Sequence, residues 1–285
     1  GFRCARLVPA PPLSGHPTDR IHMIEKPFKW AFVGDLQIPY QDDRAVALWF
    51  QVMKAWKPDA IDIVGDIDDL LEVSTFSDGT TDEFFNKIKA EKQLEDESDK
   101  DFFKRISPVP YVMDLTSGAR DFYTEVRRAN KKADIHSSCG NHEQRLPKYM
   151  DKKAPAYKDL CTYEKVYSFD KLGISWTDYS EKPLMRFADI HVHHGDGSTT
   201  TGLKVKDDLN NWDISLVRGH DHRGGVVYKT FPLSNRTLVG MGTGHMCDPN
   251  QYGLRYALNP SWELGFGVGY IIDGGVQLQF IPITP

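Results

Sequence analysis

Short apolar runs alternate along this chain with stretches whose apolar residues recur three and four apart, the signature of strands and helices taking turns. Trp30–Val33 and Ala60–Val64 are apolar runs ending at Gly34-Asp35 and Gly65-Asp66, and each predicts a buried strand. Between them Val46, Trp49, Phe50 and Met53 mark one face of a helix. Asp42 or Asp43 can cap its start, and Pro58 lies just beyond its end. A strand, a crossover helix and a second strand predict parallel pairing with right-handed winding. Asp134–Ser138 reads as a third strand. The second half is β-rich, with strands expected at Leu184–Ala188, Ile190–His193, Asp213–Val217, Arg236–Met241, Gly267–Ile272 and Val276–Ile281. A helix is expected near Thr201–Trp212, and Asp273-Gly274-Gly275 signals a turn.

Two stretches stand apart from this pattern. Residues 1–26 carry Pro9, Pro11, Pro12 and Pro17 and predict an extended arm, with one domain over 27–285. Residues 73–132 are polar and helical, with a charged run from Lys87 to Lys104 and a helix near Arg120–Lys132, separated by Pro108 and Pro110. They read as an inserted helical cap.

Composition narrows the function classes. The 285 residues are 40% hydrophobic and 26% charged, as in ordinary globular proteins. A net charge of -5 gives no basic field to attract nucleic acid, although bound metals can supply positive charge locally. No apolar run of about 18 residues suggests a membrane span. Cys4, Cys139, Cys161 and Cys247 form no CxxC pair, which fits a reducing, cytoplasmic compartment.

Five segments carry the chemistry: Gly34-Asp35-Leu36-Gln37, Gly65-Asp66-Ile67-Asp68-Asp69, Gly140-Asn141-His142-Glu143, His193-His194-Gly195-Asp196 and Gly219-His220-Asp221-His222. They offer carboxylate, amide oxygen and imidazole, the ligand types of hard and borderline cations. Each falls where a strand runs into a loop, which is where α/β sheets build their sites. Asp35 or Asp66 alone would read as a helix cap, and Asn141 alone as a turn residue. Two histidines one residue apart, His220 and His222, are the strongest single element, because they can straddle two ions. His191 and His193 share one face of their strand, which leaves His194 at its loop end as the ligand.

Taken in order, these segments resemble the metallophosphoesterase superfamily, the calcineurin-like phosphoesterases, whose pattern is D-x-H, G-D-x-x-D, G-N-H-[DE], H-G and G-H-x-H. The resemblance runs from Val33 to His222. It continues loosely through Trp262–Gly267, which is similar to the closing strand of small phage-encoded members. It implies an α/β fold, a four-layer α-β-β-α sandwich with a helical insertion. It also implies two divalent metal ions, with Mn²⁺ placed ahead of Mg²⁺, Zn²⁺ or Fe. One ion would take Asp35, Gln37, Asp66 and His222, and the other Asp66, Asn141, His194 and His220, with Asp66 shared. His142 matches the family's catalytic histidine and Asp69 the carboxylate that orients it. Arg145 and Arg223 flank the motifs and are candidates for gripping phosphate oxygens.

Two departures shape the expected activity. Gln37 stands where the family has histidine, a weaker ligand that loosens the first site. Leu70 follows the second motif where protein phosphatases of the family carry arginine, which disfavours that activity. The reading is therefore a metal-dependent hydrolase of phosphate esters, phosphodiesterase or phosphatase. The alternatives are a catalytically weak structural or virion-associated protein on the same fold, and a nuclease using Arg127-Arg128, Lys131-Lys132, Lys148, Lys152 and Lys153. The expected partner is a phosphate-ester substrate, with no membrane. Residues 1–26 offer a docking arm for a protein.

Overall fold

The computed structural model describes residues 26–74, 94, 97–98, 109–197, 202–248, 250 and 261–284, and its layers follow from the alternation of its first strands. In β1 (Phe28–Val33), Ala31 and Val33 face a core shared with helices, whereas Trp30 and Phe32 face a second core. In β2 (Ala60–Ile63), Ile61 and Ile63 likewise take the helical side and Ala60 the other. A strand buried on both faces needs a layer on each, so the pattern demands a sandwich.

The first sheet has six strands in the order β11-β10-β1-β2-β3-β4. Its members beyond β2 are β3 (Asp134–Ser138), β4 (Ser175–Thr177), β10 (Gly265–Ile272) and β11 (Gly275–Pro282). The run from β1 to β4 is parallel, with Trp30 opposite Ala60 and Ala60 opposite Asp134. On the far side β10 joins β1 antiparallel, Ala31 opposite Val268. The second sheet has the order β5-β6-β7-β9-β8. It consists of β5 (Leu184–Met185), β6 (Ile190–His193), β7 (Ser215–Arg218), β8 (Gly224–Phe231) and β9 (Arg236–Thr243).

Helices cover both outer faces. Helix α1 (Asp43–Trp56) is capped by Asp42, whose Oδ1 accepts from Ala45 N at 2.9 Å, and it buries Ala45, Trp49 and Met53 on the first sheet. Helices α2 (Val109–Leu115) and α3 (Ser117–Ala129) lie on the same side, with Phe122, Tyr123 and Val126 packed among the Trp49 core. Helix α4 (Arg145–Lys153) adds Leu146, Tyr149 and Met150 to that core. Helix α5 (Lys204–Trp212) lies on the outer face of the second sheet through Val205 and Leu209, which close on Gly240 of β9. The order is thus helices, sheet, sheet, helix, the α-β-β-α sandwich expected from the motif order.

Some boundaries differ from the sequence reading. The run Leu184–Ala188 pairs only over Leu184–Met185, because Ala188 and Asp189 adopt left-handed backbone in the turn to β6. Pro110 lies in the first turn of α2, where a missing N–H is tolerated; Pro108 and most of the charged run that the two prolines were expected to set apart lie outside the described residues. Within the stretch expected as a cap, α2 and α3 belong to the sandwich itself and form the crossover into β3. The proline-rich arm over 1–25 and most of the charged run over 87–104 lie outside the described residues. No helix among the described residues is long and apolar enough to cross a membrane.

Arg186, next to β5, pairs with Asp62 of β2 and Asp134 of β3 and so joins the two sheets. Asp62 points between them, fully buried, and accepts from Trp30 Nε1 at 2.6 Å and Arg186 Nε at 3.0 Å. Burial pushes its carboxyl up to about 6, against the lowering pull of Arg186 and Trp30. Removing the cation leaves a carboxylate stranded in the core. Arg186→Met is therefore expected to lower unfolding free energy by about 3 kcal/mol, and adding Asp62→Asn to recover part of that loss, both read by urea denaturation. A neutral Arg186→Met would show that the pair is not structural.

Candidate metal centre

All five segments arrive at one end of the sandwich. Asp35 follows β1, Asp66 follows β2 and Asn141 follows β3, while His194 follows β6 and His220 and His222 follow β7. The parallel central strands of the two sheets therefore present their carboxyl ends side by side. Asp35, Gln37, Asp66, His220 and His222 all adopt left-handed backbone. Such conformations cost about 1 kcal/mol or more apiece for side chains of this kind, and they persist where surrounding contacts enforce them. Close approach explains two motif glycines. A Cβ on Gly140 would fall 2.1 Å from Asp66 Oδ1, and one on Gly219 would fall 2.5 Å from Asp35 Oδ2.

The ligand atoms gather in two lobes. In one, Asp66 Oδ2 lies 3.2 Å from His194 Nε2, and Asn141 Oδ1 lies 3.1 Å from His194 Nε2 and 2.8 Å from His220 Nδ1. His220 Nδ1 is also 3.2 Å from His194 Nε2. The other His194 nitrogen, Nδ1, faces the Val64 carbonyl at 2.6 Å and donates to it. That leaves the lone pair of the neutral ring on Nε2, aimed at the carboxylate and the amide oxygen. Around that neutral ring, Asp66 Oδ2, Asn141 Oδ1 and His194 Nε2 are three acceptors turned on one another, an arrangement that a cation between them would satisfy. In the second lobe His222 Nε2 lies 3.3 Å from Asp35 Oδ1 and 3.3 Å from Gln37 Nε2. A half-turn of the Gln37 amide exchanges its nitrogen for its oxygen, which is buried and without a partner, as is His222 Nδ1.

Electrostatics agrees with the geometry. Burial alone would raise the Asp66 carboxyl, but His142 and His194 beside it hold it well below the usual carboxylate range. Burial would lower His194, yet Asp66 carries it up to about 9. A proton and a metal ion are here rivals for the same negative pocket. His220, by contrast, is lowered to about 4 by burial and by His194, which keeps its ring neutral.

His142 sits at the edge of the cluster rather than in it. Its Nδ1 is 2.9 Å from Asp69 Oδ1, and its Nε2 is 3.7 Å from Asp66 Oδ2. Burial lowers its pKa, but Asp66 and Asp69 together carry it above the ordinary histidine value. Arg145 opposes them, with Nη2 at 3.1 Å from His142 Nε2 and Nη1 bonded to the Asp69 carbonyl. Arg145 thus reaches the site through this pair. Arg223 does not: its guanidinium bonds the Gly202 carbonyl at 2.8 Å.

Two buried side chains given no role by sequence reasoning hold the loops. Glu143 accepts from four backbone N–H groups, those of Asp66 at 3.0 Å, Ile67 at 2.7 Å, Asp68 at 3.2 Å and Gly140 at 2.8 Å. Its signal was visible as the acid closing Gly140-Asn141-His142-Glu143. Arg218, fully buried, bonds the carbonyls of Gly219, Asp196 and Gly197 and pairs with Asp208 at 2.6 Å. It ties the His194 loop to the His220 loop. His193 is no ligand: its Nδ1 accepts from Gly195 N and its Nε2 donates to the Tyr179 carbonyl.

No family model matches the chain. The Gene 54 protein of Mycobacterium phage D29 is 23% identical over 259 residues, spanning 88% of this chain and 92% of its own length. The Gene 54 protein of Mycobacterium phage L5 is 23% identical over 263 residues with the same coverage. Among solved structures, vacuolar protein sorting 29 from Cryptosporidium parvum matches at 11% identity over 91% of this chain and 99% of its own, with a TM-score of 0.41. Yfce, a phosphoesterase from E. coli, matches at 11% identity over 90% of this chain and 100% of its own, with a TM-score of 0.36.

The clamp by Glu143 yields a direct test. In Glu143→Gln either amide orientation turns an NH₂ against two backbone donors. Stability is expected to fall by about 2–4 kcal/mol in urea unfolding, and metal affinity by about tenfold or more in titration calorimetry. Unchanged values for both would remove Glu143 from the architecture of the site.

Proposed function

We propose that this chain is a metal-dependent phosphoesterase of the calcineurin-like type, hydrolysing phosphate esters at a centre for two divalent cations. The observation that carries the reading is the convergence of a carboxylate oxygen, an amide oxygen and two imidazole nitrogens, from Asp66, Asn141, His194 and His220, on one buried point. Asp35, Gln37 and His222 would hold one ion and Asn141, His194 and His220 the other, with Asp66 serving both. When bound, such ions draw a phosphate ester and a water together and offset the charge on the phosphoryl oxygens.

The remaining chemistry belongs to the chain. Asp66 keeps its negative charge because two imidazoles flank it. His194 is held in one tautomer by the Val64 carbonyl. A water oxygen forms the new bond to phosphorus, the bond to the leaving oxygen breaks, that oxygen takes the proton from His142 Nε2, and the proton given up by the attacking water returns through solvent to restore His142. Asp69 supports the imidazolium from the Nδ1 side, while Arg145 makes its proton easier to release. General acids of this kind contribute about 10²–10⁴-fold. Gln37, a neutral amide in place of imidazole, weakens the first site and favours Mn²⁺ or Mg²⁺ there.

A small ester suits the surface better than a polynucleotide. Arg127 directs its donors to the carbonyls of Leu172, Ala133 and Gly173, and Arg128 pairs with Glu125. Arg127 is therefore engaged within the fold, and the exposed Arg128 is already paired with a carboxylate on its own helix.

Three variants test the assignment. Asp66→Asn is expected to lose both ions by elemental analysis, and a fully metallated variant would rule out its shared role. His142→Ala should keep its metals and lose at least about tenfold in turnover of an activated phosphodiester with Mn²⁺. Unchanged turnover would take His142 out of the mechanism. Gln37→His should bind the first ion more tightly, and a titration showing no gain would mean that Gln37 is not a ligand.

A further inference from the structure

Beside the metal centre lies a cavity of about 570 Å³ that the reading above leaves unused. Its size is ample for one planar heterocycle with its sugar. Three rings line it: Tyr179, His193 and Trp212. His193 lies between the other two, 6.0 Å from the Tyr179 ring and 6.2 Å from the Trp212 ring. Both its nitrogens are engaged with the backbone, so it offers the cavity a ring face rather than a polar edge. Tyr179 also connects the cavity to the ligand cluster, since its ring is 6.0 Å from the ring of His194. Trp212, the last residue of α5, is 38% exposed, a large aromatic face left open to solvent where it lines a cavity.

The charged residues of the lining narrow what this space suits. Glu181 and Asp196 offer two carboxylates against the single ammonium of Lys182. A second phosphate would meet net negative charge here, whereas the amino groups of a purine or cytosine would find acceptors. Rings on the walls stack on any base.

We propose that this cavity seats the nucleobase of a nucleotide ester whose phosphate lies at the metal centre. The phosphate half of the proposal rests on the phosphoesterase reading; the base half rests on the cavity alone. Binding separates the two. Titration calorimetry of the Mn²⁺-loaded protein should show adenosine 5′-monophosphate binding about tenfold or more tighter than ribose 5-phosphate. Trp212→Ala should reduce that preference to within about threefold, with metal content as in the wild type. Equal affinity for the two ligands, failure of the nucleotide to bind, or a preference surviving both Trp212→Ala and Tyr179→Leu would overturn the base seat. Turnover supplies the second readout. Adenosine 5′-(p-nitrophenyl phosphate) should be preferred over methyl p-nitrophenyl phosphate through a lower KM, and Trp212→Ala should erode that ratio. A variant that slows both esters equally would indicate a structural role for Trp212 and count against the proposal. Hydrolysis of neither ester, with the nucleotide preference intact, would sink the phosphoesterase reading and leave the base seat standing.

Discussion

The site depends on one buried carboxylate. Glu143 gathers the N–H groups of Asp66, Ile67 and Asp68 from the loop after β2, and that of Gly140 from the loop after β3. Without an acceptor those donors would be orphaned in the interior, at a cost that no nearby side chain offsets. With it, three consecutive N–H groups turn one way, and Asp66 is held in left-handed backbone with its carboxylate facing the second sheet. Arg218 is the counterpart of opposite charge, collecting carbonyls where Glu143 collects N–H groups. One clamp fixes the ligands of the first sheet and the other those of the second.

What the clamps hold together is electrostatically costly. Three aspartates and three histidines, Asp35, Asp66, Asp69, His142, His194 and His222, lie at most 7% exposed at one end of the sandwich. The paired raising of His194 and lowering of Asp66 is how the chain balances this charge among its own groups. A cation fits the same balance, since it replaces a proton between ligands already placed. Under the proposed metal binding, the strain in the loops and the charge in the cluster would serve one purpose.

Much of this was legible in the residues. The runs Trp30–Val33, Asp134–Ser138 and Ile190–His193 became strands almost as bounded, the first because a buried parallel strand leaves an unbroken apolar signal and the other two because they lead directly into motif segments. The convergence of Asp66, Asn141, His194 and His220 was legible because each lies just past the end of a strand, where the fold brings the loops together. Other features gave no such signal. Ser175–Thr177 is too short to show a period, and Gly224–Phe231 begins with two glycines and alternates only weakly in burial. The crossover role of Ser117–Ala129 was hidden by its polar composition, which masks a narrow buried stripe of Ala119, Phe122, Tyr123 and Val126. Glu143 and Arg218 lacked an assigned role because what they bind is backbone, and backbone partners depend on loop conformation rather than on residue type. Arg223 shows the converse: adjacency to His222 in sequence did not bring its guanidinium into the cluster.

The pairing of β1 with β10 places Ala31 opposite Val268, with the entire second sheet encoded between them. During synthesis, β1 through β4 leave the ribosome long before Gly265–Ile272 exists, and the flank of β1 stands open with unpaired N–H and C=O groups in the meantime. Until that final hairpin emerges, the nascent chain carries a sticky edge in its most apolar strand, the kind of surface on which chaperones act and aggregates seed.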